Sequence, residues 1–227
     1  MRRIITASAV IGLAAALGLA APAQAAPATN PAPATVGVFH GIPKTPVDVY
    51  VGDKKVLDDF QPGTFGGPLQ LAAGRYLVRV TAADATSPAH PLLKERFHFS
   101  SGKNYSVIAH LTQKGKPALT KYDNDLRAAK DGGARVVVRH VAAAPPVQVL
   151  VNRKAATGAI KNPQQATIKA SAGTVDIKVR LASKPRTTVL KADDVTLAPQ
   201  TSTIVYAWGD AKKGTLQLTT RVVALKG

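Results

Sequence analysis

The chain has 227 residues, with 30 Lys and Arg against 13 Asp and Glu, and no cysteine. The absence of cysteine excludes disulfides, thiolate chemistry and a lipid-modified cysteine, so packing alone must hold the fold. The basic excess points to polyanionic partners, and the length suits two domains of about one hundred residues each.

Residues 1–25 read as a secretory signal peptide. Arg2 and Arg3 make a basic start, Ile4 to Ala21 is an apolar run, and Ala23-Gln24-Ala25 is a small-x-small cleavage site, with the cut expected after Ala25. A retained membrane anchor is the lesser reading because the run is short, and the twin-arginine route because Arg2-Arg3 lacks the rest of that motif. No later apolar run is long enough to span a bilayer, so no transmembrane anchor is expected after cleavage. Residues 26–35, rich in Pro and Ala, are expected to be extended and disordered.

The first unit covers 36–125. Val36, Val38 and His40 alternate with Gly37 and Phe39, and Val47, Val49 and Val51 alternate with Asp48 and Tyr50; both patterns have the period of a strand. Gly52-Asp53 turns the chain into Lys54 to Leu57, a hairpin signal. Gln61-Pro62-Gly63 and Gly66-Gly67-Pro68 punctuate the segment before Leu69 and Leu71. Strands are then expected over Arg75 to Thr81, Leu92 to Phe99, Tyr105 to Thr112 and Lys116 to Asp123.

Residues 126–133 form the linker and 134–227 the second unit, with strands expected over Arg135 to Val141, Val147 to Val151, Ala166 to Ala170, Thr174 to Leu181, Val189 to Leu197, Thr203 to Trp208 and Thr215 to Val222. The two units repeat each other. His40 to Val51 (HGIPKTPVDVYV) returns as His140 to Val151 (HVAAAPPVQVLV) at an offset of 100, Ala72 to Val80 as Ser171 to Val179 at 99, and Asn104 to His110 as Ser202 to Trp208 at 98. Single-residue slips of this kind fall in loops, since a slip inside a strand would turn every side chain over. The reading is a mainly β chain: two tandem immunoglobulin-like antiparallel β-sandwich domains from an internal duplication.

The pattern H-x-x-P-x-x-P-V-D-V-Y-V, a short hairpin and then A-G-x-Y-x-V-x-V resembles the domain of unknown function numbered 4397. The resemblance covers Val36 to Asp125 and Arg135 to Leu225. It implies a β-rich module of secreted and cell-surface bacterial proteins, often in tandem, and it brings no activity or catalytic residues. The family usually has an acid between the two prolines, where this chain has Lys44, and the second unit has Gln148 in place of Asp48.

His40 and His140 are repeat-equivalent and share a face with inward valines, so each is assigned a structural role, a ring nitrogen tying down the following Pro-rich loop. His90, His98 and His110 lack zinc-like spacing, Asp123-Asn124-Asp125 reads as a turn before it reads as a calcium site, and no serine sits in a G-x-S-x-G context. No catalytic, metal or cofactor residue is therefore assigned. Tyr206 and Trp208 alternate with inward Val205 and Ala207, which points them outward: they would stack on a sugar ring or meet a protein partner, or else pack against the other unit.

Charge is unevenly shared. The first unit has 11 basic and 8 acidic residues, the second 15 and 4, for nets of +3 and +11. Strand alternation turns Arg135, Arg139, Lys169, Lys178 and Arg180 outward, and they are candidates for binding polyanions if their strands share one sheet. The expectation is a non-catalytic module, secreted or held at the cell envelope, that meets anionic envelope polymers or an extracellular protein. The alternative is an extracellular hydrolase whose site is scattered in the sequence. Nucleic acid is disfavoured, because few aromatic residues interleave the basic strands.

Overall fold

A strand with one face on a core and one in water alternates buried and exposed residues, whereas a strand covered on both faces does not. The computed structural model of this protein describes residues 31–226, and both kinds of strand are present. The signal peptide and the start of the Pro/Ala-rich segment lie outside the described residues.

The first domain contains β1 (Ala34–His40), β2 (Val47–Val51), β3 (Lys54–Phe60), β4 (Phe65–Leu71), β5 (Gly74–Ala82), β6 (Leu93–Phe99), β7 (Asn104–Leu111) and β8 (Pro117–Asn124). A single 3-10 turn, Lys130–Gly132, interrupts the connection. The second contains β9 (Ala134–Ala143), β10 (Val147–Val151), β11 (Lys154–Ala155), β12 (Gln165–Ala170), β13 (Gly173–Leu181), β14 (Lys184–Leu197), β15 (Thr201–Asp210) and β16 (Gln217–Ala224).

Each domain is a pair of four-stranded sheets. The first has orders β4-β1-β7-β8 and β3-β2-β5-β6, and the second has β12-β9-β15-β16 and β11-β10-β13-β14. Adding eight to each strand of one domain gives the other. The sheets are antiparallel but for one parallel pair per domain, where Val38 lies opposite Val107 and Val138 opposite Val205. That pair departs from the all-antiparallel expectation because β1 and β7 are joined through the facing sheet rather than by a hairpin.

Between the sheets of the first domain, Val38, Val47, Val49, Phe60, Val78 and Val80 make one cluster, continued by Ala34, Val36, Phe99, Tyr105 and Val107. Val136, Val138, Val147, Val149, Ile177, Val179 and Val205 form the corresponding core of the second domain. A third cluster lies between the domains. Phe39, Ile108 and Tyr122 from the first domain meet Val137, Val141, Ile204, Tyr206 and Trp208 from the second, and residues 31–226 form one compact unit. This explains the near-continuous burial along β7, β9 and β15, broken only at or next to their first residues: one face packs on the domain's own core and the other on its neighbour.

Several boundaries differ from the sequence reading, three of them with a consequence for packing. Ala34 and Thr35, expected in the disordered segment, begin β1; Ala34 is buried and pairs with Leu71, while the Ala32 carbonyl accepts from the Gly102 amide at 2.9 Å. Gly66-Gly67-Pro68, read as punctuation, lies inside β4, and the Leu57 side chain packs over Gly66, where a Cβ would fall 2.5 Å from Leu57 Cδ1. β14 starts five residues before the expected Val189 and runs as a long edge strand with register shifts.

Candidate functional site

The five candidate cations do not form one patch. Arg135, Arg139 and Lys169 lie on β9 and β12, whereas Lys178 and Arg180 lie on β13 in the opposite sheet of the sandwich. Outward faces of opposite sheets point away from each other. Arg139 is also only 1% exposed. Arg135 is largely covered and spends its guanidinium on the Asp125, Arg127 and Ala128 carbonyls, with the Asp125 carboxylate 3.6 Å away. Arg180 donates to Gln148 Oε1 at 2.9 and 2.7 Å, so Gln148 is fixed by a cation where the first domain has Asp48. Lys169 is exposed and Lys178 half-buried.

Tyr206 and Trp208 are 1% and 3% exposed and cannot stack on an incoming sugar. Their face of β15 is covered by the first domain: Phe39 lies 4.6 Å from the Tyr206 ring and 5.9 Å from Trp208, the latter edge-on. Trp208 Nε1 donates to Thr219 Oγ1 at 2.9 Å.

Arg139 closes the same interface from the repeat-equivalent position of Phe39. It donates to Gln165 Oε1 (3.0 Å), the Tyr206 hydroxyl (3.0 Å) and Asn124 Oδ1 (2.6 Å), and its guanidinium lies 4.4 Å from the Tyr122 ring centre. Burial lowers its pKa, and the two tyrosines beside it raise it. Among the described residues no carboxylate lies within 4 Å of it, so neutral acceptors and aromatic faces hold the charge. Asn162 Nδ2 bridges the domains by donating to the Leu111 (2.8 Å) and Ala142 (2.6 Å) carbonyls, and the Tyr122 hydroxyl donates to the Pro163 carbonyl.

The buried histidines serve loops. His40 Nε2 lies 2.7 Å from the Thr45 carbonyl and His140 Nε2 lies 3.0 Å from that of Pro145, so each ring donates to the carbonyl before its loop's second proline. His110 donates from Nδ1 to the Leu111 carbonyl at 3.0 Å, and its Nε2 lies 2.8 Å from Thr120 Oγ1. Burial pushes all three below the ordinary histidine pKa, opposed by the carbonyl hydrogen bonds.

One acidic cluster was not legible in the sequence. Asp48 on β2 meets Asp58 and Asp59 on β3, with one oxygen of each within 4.8 Å of the others, a donor set that could hold a cation. A cation of the protein already sits among them: Lys55 Nζ is 2.7 Å from both Asp48 Oδ2 and Asp58 Oδ1, and the Asp59 amide donates to Asp48 Oδ1 at 2.9 Å. Asp84 nearby, and then burial, push the Asp59 carboxyl upward. A bulge between Val47 and Val49 in the β2–β3 ladder gathers these acids, and sequence spacing gives no sign of it.

A wide open groove of about 1160 Å³ lies where the domains meet. Its basic residues come from equivalent turns in the two domains. Lys114 and Lys116 lie on the β7–β8 turn, closed by the Thr112 amide on the Lys116 carbonyl (2.8 Å), and Lys212 lies on the β15–β16 turn, where its amide donates to Asp210 Oδ1 (2.9 Å). Ala144, Pro145, Pro163, Leu181, Val189 and Leu216 supply apolar wall, and His110, Thr120 and Asn162 polar groups. Among the described residues no Asp or Glu is in the lining, and Asp210, buried beside the groove, turns Oδ2 toward the β7–β8 turn, 4.0 Å from where a Cβ at Gly115 would lie. None of the three lysines lies within 4 Å of a carboxylate of the described residues. Loops far apart in sequence build this site, so no motif announced it.

A family model described as a domain of unknown function (DUF4397) matches residues 34–150, more than half of the chain. No curated protein matches. A solved structure from Bacteroides ovatus, described as a candidate cell adhesion protein, aligns over 86% of this chain and 99% of its own, with 8% identity and a TM-score of 0.29. No helix of the described residues is long and apolar enough to cross a membrane.

Proposed function

This chain belongs to the DUF4397 family, and from that premise we propose that it is a non-catalytic module, secreted or held at the cell envelope, whose second domain is attracted to anionic surface polymers. The signal-peptide pattern of residues 1–25 supports export. The shared strand order supports reading β9–β16 as a second copy of the family domain. Buried imidazoles bonded to the protein's own carbonyls, and an acidic cluster bridged by Lys55, support a structural rather than a catalytic use of these groups.

The observation that carries the proposal is unneutralised charge. Of the 15 basic residues in 134–227, only Arg135 and Lys191 lie within 4 Å of a carboxylate among the described residues. Charge of one sign left open to solvent raises the local concentration of polyanions and speeds their encounter. It is screened over about 10 Å at 0.1 M salt. Fractionation of the producing cells therefore tests the reading: the protein should stay with the envelope at low ionic strength and be released by a salt wash. Protein free in the medium at every salt concentration, or bound to the envelope through a high-salt wash, would overturn it.

A further inference from the structure

We infer that the groove between the domains is a binding site for a phosphodiester-linked polymer of sugars or polyols, held by Lys114, Lys116 and Lys212. The inference rests on the reading above that the protein meets anionic envelope polymers, and it adds the place and the ligand chemistry.

The three ammonium groups lie on equivalent turns of the two domains, exposed and without a carboxylate within 4 Å among the described residues. The groove's volume of about 1160 Å³ exceeds the roughly 300–1,000 Å³ usual for a small-molecule site, and it is open to solvent, which suits an extended chain. Its cations are all lysines, with no arginine. A lysine ammonium meets a phosphate as a point charge, and the arginine fork that grips phosphate and carboxylate alike in two parallel bonds is absent from the lining. Pro145, Pro163 and Leu216 offer apolar surface to the carbon faces of sugar or polyol units. Asn162 commits Nδ2 to two backbone carbonyls, and its Oδ1 makes no hydrogen bond among the described residues, so it can accept from a ligand hydroxyl. Both domains build the site, so a ligand here would bind the packed pair better than either domain alone.

The test uses chain 26–227 and soluble polyglycerol phosphate as the probe, titrated at low and moderate salt. Lys114→Gln, Lys116→Gln and Lys212→Gln together should weaken binding about tenfold at low salt, from three exposed charge contacts. The triple change Lys54→Gln, Lys94→Gln and Lys103→Gln removes the same charge from exposed positions of the first domain and should change binding less than twofold; thermal melts verify that both variants are folded. Equal losses in the two variants would overturn the groove site and leave the general attraction standing. Absence of salt-sensitive binding by the wild-type chain would instead remove the attraction itself. Polyglutamate should bind several-fold more weakly than polyglycerol phosphate, and equal affinity would overturn the phosphate assignment. Phosphatidylglycerol vesicles should be insensitive to the groove substitutions; a loss there as large as with the polymer would overturn the polymer in favour of a lipid surface.

Discussion

Replacing Tyr206 by Phe removes one oxygen from the interface and leaves the ring in place. That oxygen accepts from Arg139 Nη1 at 3.0 Å, and the guanidinium has no carboxylate partner within 4 Å among the described residues to take over. A hydrogen bond to a charged group contributes about 1.5–3 kcal/mol, and an orphaned buried donor keeps its desolvation cost, so a loss of about 2 kcal/mol is expected. For a chain of this size that lowers Tm by about 4–8 °C. Tyr206→Ala also strips the ring from Phe39 and Phe65, and removal of a buried aromatic ring costs about 3–5 kcal/mol. Trp208, the sole tryptophan of the sequence, lies in the same cluster and reports on it directly by fluorescence. Its transition should coincide with that of far-UV circular dichroism, which follows both domains. A Tyr206→Phe protein melting at the wild-type temperature, or a Trp208 transition well separated from the dichroism, would refute the account of one body closed by Arg139.

His140→Ala should lower stability by about 1–3 kcal/mol, because the Pro145 carbonyl loses its donor and a gap remains; urea unfolding measures it. His40, His110 and His140 are neutral in the fold with lowered pKa values, so the unfolded chain binds the more protons at mildly acidic pH. Their contribution should therefore be complete above about pH 6.5 and be lost as pH falls through the lowered folded values, which melts between pH 7.5 and 5 would follow. Expressed apart, residues 31–125 and 126–227 should each bind a hydrophobic dye through the uncovered Phe39 or Tyr206 face and recombine on mixing; fragments that ignore each other would contradict the shared cluster. Millimolar calcium or EDTA should leave the melting temperature unchanged, since Lys55 already occupies the space between Asp48 and Asp58, while Lys55→Met should lower it.

Alternation in β13 was legible because its outer face meets water: Val175, Ile177 and Val179 are buried while Lys178 is not. In β15 the same alternation correctly separated Val205 from Tyr206, yet the second face is also buried, and no local pattern says what covers it. Apolar residues on both faces of β1, β7 and β15, among them Phe39, Ile108 and Tyr206, were the available sign of a covered sheet. The basic candidates failed together for a topological reason. Lys169 and Lys178 are nine residues apart but belong to opposite sheets, and sheet membership depends on pairings with distant strands. The groove lysines were missed because equivalent turns become neighbours only after the domains pack.

The central claim is that open positive charge on the second domain holds the protein to anionic envelope polymer. The most direct measurement is the dissociation constant of chain 26–227 for purified anionic wall polymer across a series of salt concentrations, with a neutral polysaccharide as control. The account predicts affinity that falls steeply between low and moderate salt, as the Debye length shrinks from about 30 Å at 0.01 M to about 10 Å at 0.1 M, with no binding to the control. Affinity indifferent to salt, or equal for the neutral polymer, would contradict it.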